Sequence, residues 1–93
     1  MYALYILKSL KDNNLYIGST NNLKRRLTEH NQGKVFSTKS RKPFKLVYCE
    51  LYQSEDDARS REHSLKLNGR ALGQLKNGLQ KALNYNIKRG AVV

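Results

Sequence analysis

The sequence predicts an α+β fold: a small three-stranded antiparallel sheet, built from an N-terminal hairpin and a central third strand, flanked by helices. Three observations carry this expectation. Two short apolar runs, residues 2–8 and 15–19, flank the turn-forming residues Asp12, Asn13 and Asn14. A third apolar run spans Phe44–Tyr52. The segments after the second and third runs open on capping residues and close on glycine, the punctuation of helices.

In order along the chain, residues 2–8 are rich in aromatic and aliphatic side chains and read as the first strand. Asp12, Asn13 and Asn14 supply the turn, because Asn and Asp tolerate positive φ and bond their own backbone. Residues 15–19 return as the second strand. Thr20 or Asn21 then offers a side-chain oxygen to the unpaired N–H groups of a helix over about residues 22–31. Gly33 is its left-handed stop. Leu23 and Leu27 lie one helical turn apart and can face the sheet. Residues 33–43 are polar, basic and without periodicity, and read as a long loop carrying Lys34, Lys39, Arg41 and Lys42. Phe44–Tyr52 is apolar on both alternating faces except at Lys45 and Glu50, which suits a central strand covered twice. Ser54 caps a second helix whose first turn holds Glu55, Asp56 and Asp57, where the helix dipole favours acids. That helix ends near Asn68 and Gly69. Residues 72–83 read as a third helix interrupted by Gly73 and Gly78, and residues 84–93 as a loose tail.

Composition bounds the function. Ninety-three residues make one domain, 1–93, with room for one core. Eighteen basic against seven acidic side chains give a formal net charge of +11. A polyanion binder uses such a charge, because each neutralised phosphate releases condensed counterions. The single cysteine, Cys49, excludes an internal disulfide and a cysteine-based zinc site. It sits in an apolar run and is expected to pack as a small hydrophobe. No apolar run approaches the roughly 18 residues of a membrane span. No signal segment precedes Tyr2, so a cytoplasmic protein without a membrane partner is the expectation.

The chemistry-bearing residues cluster early. If Lys8 pairs with Leu15, Leu7 lies opposite Tyr16, and Tyr5 and Tyr16 project to the same side as diagonal neighbours. A slip of one residue would separate them. Strand tyrosines are commonly core aromatics with a wet hydroxyl, and spacing alone does not decide between these readings. Arg26 and His30 are four apart and share one helical face. Lys24, Arg25 and Arg26 are consecutive and cannot all face one way; Lys24 and Arg25 read as a solvated basic face. Gly18 removes a side chain beside Tyr16 and would let a ligand approach the backbone. In the second helix, Ala58, Glu62 and Leu65 fall on one stripe, so a carboxylate stands where apolar residues are expected. Such a group is costly to bury unless paired or metal-bound. Glu50, which interrupts an apolar face of the third strand, is the rival for that buried acid.

These residues together carry a resemblance. Leu4-Tyr5, Tyr16-Ile17-Gly18-Ser19-Thr20, Leu23, Arg26 and His30-Asn31 resemble the GIY-YIG nuclease family in order and spacing. Arg41, Pro43, Leu46-Val47-Tyr48, Glu50, Ala58, Arg61-Glu62 and Lys66 continue the likeness over roughly residues 2–67. It is greatest to the small stand-alone members related to the nuclease module of the repair excinuclease. Ala3-Leu4-Tyr5 departs from Gly-Ile-Tyr and keeps only the tyrosine.

The resemblance implies a metal-dependent endonuclease that hydrolyses DNA to 5′-phosphate and 3′-hydroxyl ends, in repair or recombination. By position it implies Tyr5, Tyr16, Arg26 and His30 as catalytic residues and Glu62 as the ligand of one Mg²⁺ or Mn²⁺ ion. Lys24, Arg25, Lys34, Lys39, Arg41, Lys42 and Lys66 are the candidate nucleic-acid contacts. The substrate the resemblance implies is DNA, with duplex, branched and single-stranded forms all open, and a protein partner is one means of targeting. Two other readings stand beside it: a non-catalytic nucleic-acid-binding module of the same fold, and a structural protein of a repair or ribosome assembly.

Overall fold

The computed structural model describes residues 1–67. Strand β1 (Tyr2–Ser9) and strand β2 (Leu15–Thr20) form the expected hairpin. Helix α1 (Leu23–Asn31) follows, then a 3₁₀ turn at Lys39–Arg41, strand β3 (Phe44–Tyr52) and helix α2 (Glu55–Leu67). The sheet is antiparallel throughout and ordered β2-β1-β3. The α+β class is therefore as expected. The expected helix over 72–83, the tail 84–93 and the end of α2 at residues 68–69 lie outside the described residues. Among the described residues no helix is long and apolar enough to cross a membrane.

The middle strand is β1, not the third strand. Residues Ala3, Leu4, Tyr5, Ile6 and Leu7 are all buried, so β1 is covered on both faces and paired on both edges. β3 pairs only with β1 among the described residues, and its Leu51 is exposed. An unbroken apolar run marks a strand buried on both faces, and only β1 has one; β3 is interrupted at Lys45 and Glu50.

The two faces hold separate cores. Leu4, Ile6, Ile17 and Val47 pack with Leu65 of α2 on one side. Tyr5, Leu7, Phe44 and Cys49 pack with Tyr16, Leu23 and Leu27 on the side of α1. Leu23 and Leu27 thus face the sheet, and Cys49 is a buried free thiol, both as expected. Phe44 and Cys49 are five apart and would point to opposite faces of a regular strand. An irregularity makes them neighbours: Ile6 pairs with Tyr48 but Leu7 with Leu46, leaving Val47 as the extra residue of a bulge.

Helix α1 is capped by Asn22, one or two residues beyond the expected Thr20 or Asn21. The Asn22 side chain accepts from the Arg25 N–H at 3.0 Å. Thr20 instead accepts from the Asn22 N–H at 3.1 Å and braces the cap. At the other end Gly33 has φ +75, as expected. Its N–H donates to His30 O, and the Lys34 N–H to Glu29 O, the paired bonds of a Schellman ending. Helix α2 is capped at Ser54, whose Oγ accepts from Asp57 N, with Glu55, Asp56 and Asp57 in the first turn.

The left-handed stop yields a direct prediction. Gly33→Ala forces a Cβ into that conformation and should lower stability by about 1 kcal/mol. Urea unfolding at equal m-value measures it; an unchanged midpoint would contradict the role.

Candidate active site

The register Leu7↔Tyr16 and Lys8↔Leu15 is the one that puts Tyr5 and Tyr16 on one face. Their ring centroids are 6.4 Å apart. Tyr5 is fully buried, whereas Tyr16 is half-buried. Tyr5 lies directly across from Gly18, and a Cβ on Gly18 would meet the Tyr5 hydroxyl at 2.5 Å. The group that Gly18 admits is therefore the Tyr5 ring, in place of the ligand expected there.

His30 projects from the last turn of α1 into the same core and is fully buried. Its Nε2 lies 3.0 Å from the Tyr5 hydroxyl and its Nδ1 2.8 Å from Thr38 Oγ1. Thr38, also fully buried, lies 3.4 Å from Val35 O, to which its hydroxyl donates. One tautomer satisfies all of these groups together. With its proton on Val35 O, Thr38 accepts from Nδ1–H, which leaves Nε2 to accept from Tyr5. The imidazole is also enclosed by rings, with Tyr16 at 5.0 Å and Phe44 at 5.7 Å between centroids. Burial, with the nearby Arg26 charge, holds His30 below its ordinary pKa, against a smaller raising effect of Glu29. A neutral imidazole at neutral pH fits both of its bonds.

Arg26 and His30 both approach Tyr5, as their four-residue spacing implies. Burial pushes the Tyr5 phenol up to about 12, although Arg26 pulls the other way. Arg26 is about one-third exposed and its Nη1 donates to Glu29 at 3.2 Å. Burial opposes its charge, but Tyr5 and Glu29 outweigh that and raise its pKa. The result is a guanidinium held by Glu29, beside the Tyr5 phenol and partly open to solvent.

Glu62 reaches the same edge of the sheet from the opposite face. Ala58 and Leu65 of its stripe are buried and Glu62 is half-buried. Ser19 Oγ donates to its Oε1 and Lys66 Nζ to its Oε2, each at 2.6 Å. Burial works against ionisation, yet the Lys66 and Ser19 bonds prevail and hold its pKa low. Lys66 Nζ also lies 6.0 Å from the Tyr16 ring centroid, so this lysine spans the gap between the carboxylate and the phenol. Glu62 and Tyr16 thus approach each other around Lys66 at the β2 edge, while Arg26 and His30 stand beside the buried Tyr5 of the central strand.

Glu50, the rival acid, is differently used. Tyr52 and Arg61 Nε donate to its Oε1, and Tyr48 and Arg61 Nη2 to its Oε2. All four of its lone-pair positions are filled, so it ties α2 to β3 and has nothing left for a cation. Glu62 has two donors, one on an exposed lysine that can swing away.

The basic residues divide likewise. Lys24, Arg25 and Lys34 wall an open depression of about 500 Å³ on the outer face of α1, together with Glu29. Lys39 and Lys42 are exposed on the loop. Arg41 is held: it donates to Asp12 at 2.7 Å, stacks 5.6 Å from the Phe44 ring centroid, and its carbonyl accepts from buried Ser9. Three contributors were not foreseen: Thr38 behind His30, Ser19 on Glu62, and Asn31, whose amide pairs with both the N–H and the C=O of Phe44. For Asn31 the available signal was its place directly after His30.

Two outcomes follow from Tyr5. Its raised pKa stabilises the fold below pH 10, and that contribution is lost as pH rises through about 12. Alkaline titration by tyrosinate absorbance should therefore lose one late-ionising phenol in Tyr5→Phe; loss of an early one would contradict the burial. Gly18→Ala should displace the ring and cost about 1–3 kcal/mol by overpacking, measured by thermal or urea unfolding. Unchanged stability would show that the ring does not need the space.

Residues 1–77 match the family model described as the GIY-YIG catalytic domain. A UPF0213 protein of Clostridium perfringens is 46% identical over 67 residues, 71% of each chain. One of Staphylococcus haemolyticus is 44% identical over 66 residues, 70% of this chain and 79% of the other. The solution NMR structure of a UPF0213 protein of Bacillus halodurans superimposes with a TM-score of 0.52 at 34% identity, covering 83% of this chain and 84% of that one. The family model matches most of the chain and the relatives are 44–46% identical over about 70% of it, so the chain belongs to the GIY-YIG nuclease family.

Proposed function

We propose that the protein is a divalent-metal-dependent endonuclease that hydrolyses DNA phosphodiester bonds, leaving 5′-phosphate and 3′-hydroxyl ends. The observation that carries this reading is the approach of Glu62 and Tyr16 around Lys66 at the β2 edge, with Arg26 beside the Tyr5–His30 pair behind them.

The residues suit one hard cation. Glu62 is held ionised and bears a displaceable lysine. Among the described residues no three His, Cys, Asp or Glu side chains gather into a metal site. One carboxylate with water and phosphate oxygens completing the shell is Mg²⁺ or Mn²⁺ chemistry. Bound there, the ion would neutralise charge on the phosphate and stabilise the departing 3′-oxygen.

The chain's own groups take distinct parts. Arg26, fixed at one edge by Glu29, offers its remaining N–H groups to a non-bridging phosphate oxygen as charge develops. Tyr16 is the phenol at the surface and orients the attacking water or takes its proton. Tyr5 is buried with a pKa near 12 and keeps its proton, directed at His30. Its part is to stand beside Arg26 and help position the guanidinium. His30 fixes Tyr5 in turn. Lys24, Arg25, Lys34, Lys39 and Lys42 supply salt-sensitive affinity for the strand.

A second reading, a non-catalytic nucleic-acid-binding module, is favoured by one observation: Lys66 sits on the Glu62 oxygen that a cation would use. A nicking assay with Mg²⁺ or Mn²⁺ on supercoiled, branched and single-stranded DNA separates the two. The nuclease reading expects cleavage by wild type, none by Glu62→Ala, and a loss of at least about 10²-fold in Arg26→Ala. Equal nicking by wild type and Glu62→Ala would refute it, and salt-sensitive binding without cleavage in any metal would establish the binding module.

A further inference from the structure

The segment between α1 and β3 carries a feature that the proposed chemistry does not use. Phe36 is 84% exposed, the most exposed of the large apolar side chains among the described residues. It stands on a turn closed by the Thr38 N–H to Val35 O bond at 3.1 Å. Two residues on, the Thr38 side chain is locked beneath His30. The ring is thus held outward by the same few residues that brace the site, with at most about 7 Å of chain between Phe36 and Thr38. The Lys39 ammonium lies 5.1 Å from the ring centroid, over one face, which leaves the other face open.

The charge around it selects the occupant. From His30 to Cys49 the sequence has no Asp or Glu but contains Lys34, Lys39, Arg41, Lys42 and Lys45. A second copy of this +11 chain, or a partner of like charge, would meet uncompensated repulsion. A nucleic-acid strand brings phosphates for the lysines and a flat base for the ring. Bases in a duplex are stacked on each other and cannot offer a face, whereas an unpaired base can.

We infer that Phe36 is a stacking platform for an unpaired base, so that this nuclease engages its substrate through a single-stranded segment or a junction with unpaired nucleotides. This deepens the proposed function and rests on its nucleic-acid reading. The test is fluorescence anisotropy with labelled oligo(dT), oligo(U) and a blunt duplex of equal length, in EDTA so that nothing is cleaved. Phe36→Ala should weaken oligo(dT) binding about tenfold, the loss of one aromatic–base stack, and change duplex binding less than twofold. Comparable loss on oligo(U) assigns the site to unpaired bases of either sugar, and loss on oligo(dT) alone assigns it to DNA. Phe36→Trp should keep the affinity, with its indole fluorescence quenched by the oligonucleotide. Unchanged oligo(dT) affinity in Phe36→Ala, equal losses on strand and duplex, or unquenched fluorescence would each overturn the inference. Phe36-dependent binding by a chain that never cleaves would remove the nuclease reading alone. Cleavage and binding indifferent to Phe36 would remove this one alone.

Discussion

The hydrogen-bonded chain from Tyr5 through His30 to Thr38 joins the three parts of the molecule that the site requires. Tyr5 belongs to the central strand, His30 to the last turn of α1, and Thr38 to the loop that follows. Each polar group is buried, and each finds its partner in another segment; among the described residues no buried side-chain N or O lacks one. The chain is therefore sensitive to any single loss, because an unpaired buried donor or acceptor costs about 1–3 kcal/mol. It also sets where Arg26 sits, one turn before His30 and facing the same phenol.

This arrangement divides labour between buried and exposed groups. Tyr5 and His30 have the residue types of acid–base catalysts, but both are buried and bonded to each other, and in the proposed function they serve as supports. Among the described residues of the proposed site, Tyr16, Arg26 and Glu62 are the partly exposed ones. The two half-buried acids follow the same logic. Glu50 is saturated by an arginine and two phenols and holds α2 against β3. Glu62 retains an oxygen whose one partner among the described residues is an exposed lysine. Satisfaction of lone pairs, more than depth of burial, separates a structural carboxylate from one available to a ligand.

Much of this was legible in the sequence because it is local. The hairpin register follows from alternation and turn chemistry, and it placed Tyr5 beside Tyr16 correctly. Gly33 as the stop of α1 and the cap at Ser54 are equally short-range. The middle strand was misassigned because β3 is apolar on both faces apart from Lys45 and Glu50; the unbroken run of β1 was the better mark, and the second pairing that makes it central is long-range. The bulge at Val47 leaves no mark in composition, yet it brings Phe44 to His30. Thr38 reads as one more polar loop residue until the loop folds back. Three consecutive capping residues, Thr20 to Asn22, could not be ranked by type alone. The choice between Glu50 and Glu62 needed their donors counted in space.

The central claim is that Glu62 holds a divalent ion beside Tyr16. Paramagnetic line broadening by Mn²⁺ in the amide NMR spectrum tests it most directly, since the broadening falls off steeply from the ion. The expected result is broadening centred on Glu62, Ser19 and Tyr16 at low Mn²⁺, absent in Glu62→Ala. Broadening centred instead on Glu55, Asp56 and Asp57, or undiminished in Glu62→Ala, would contradict it.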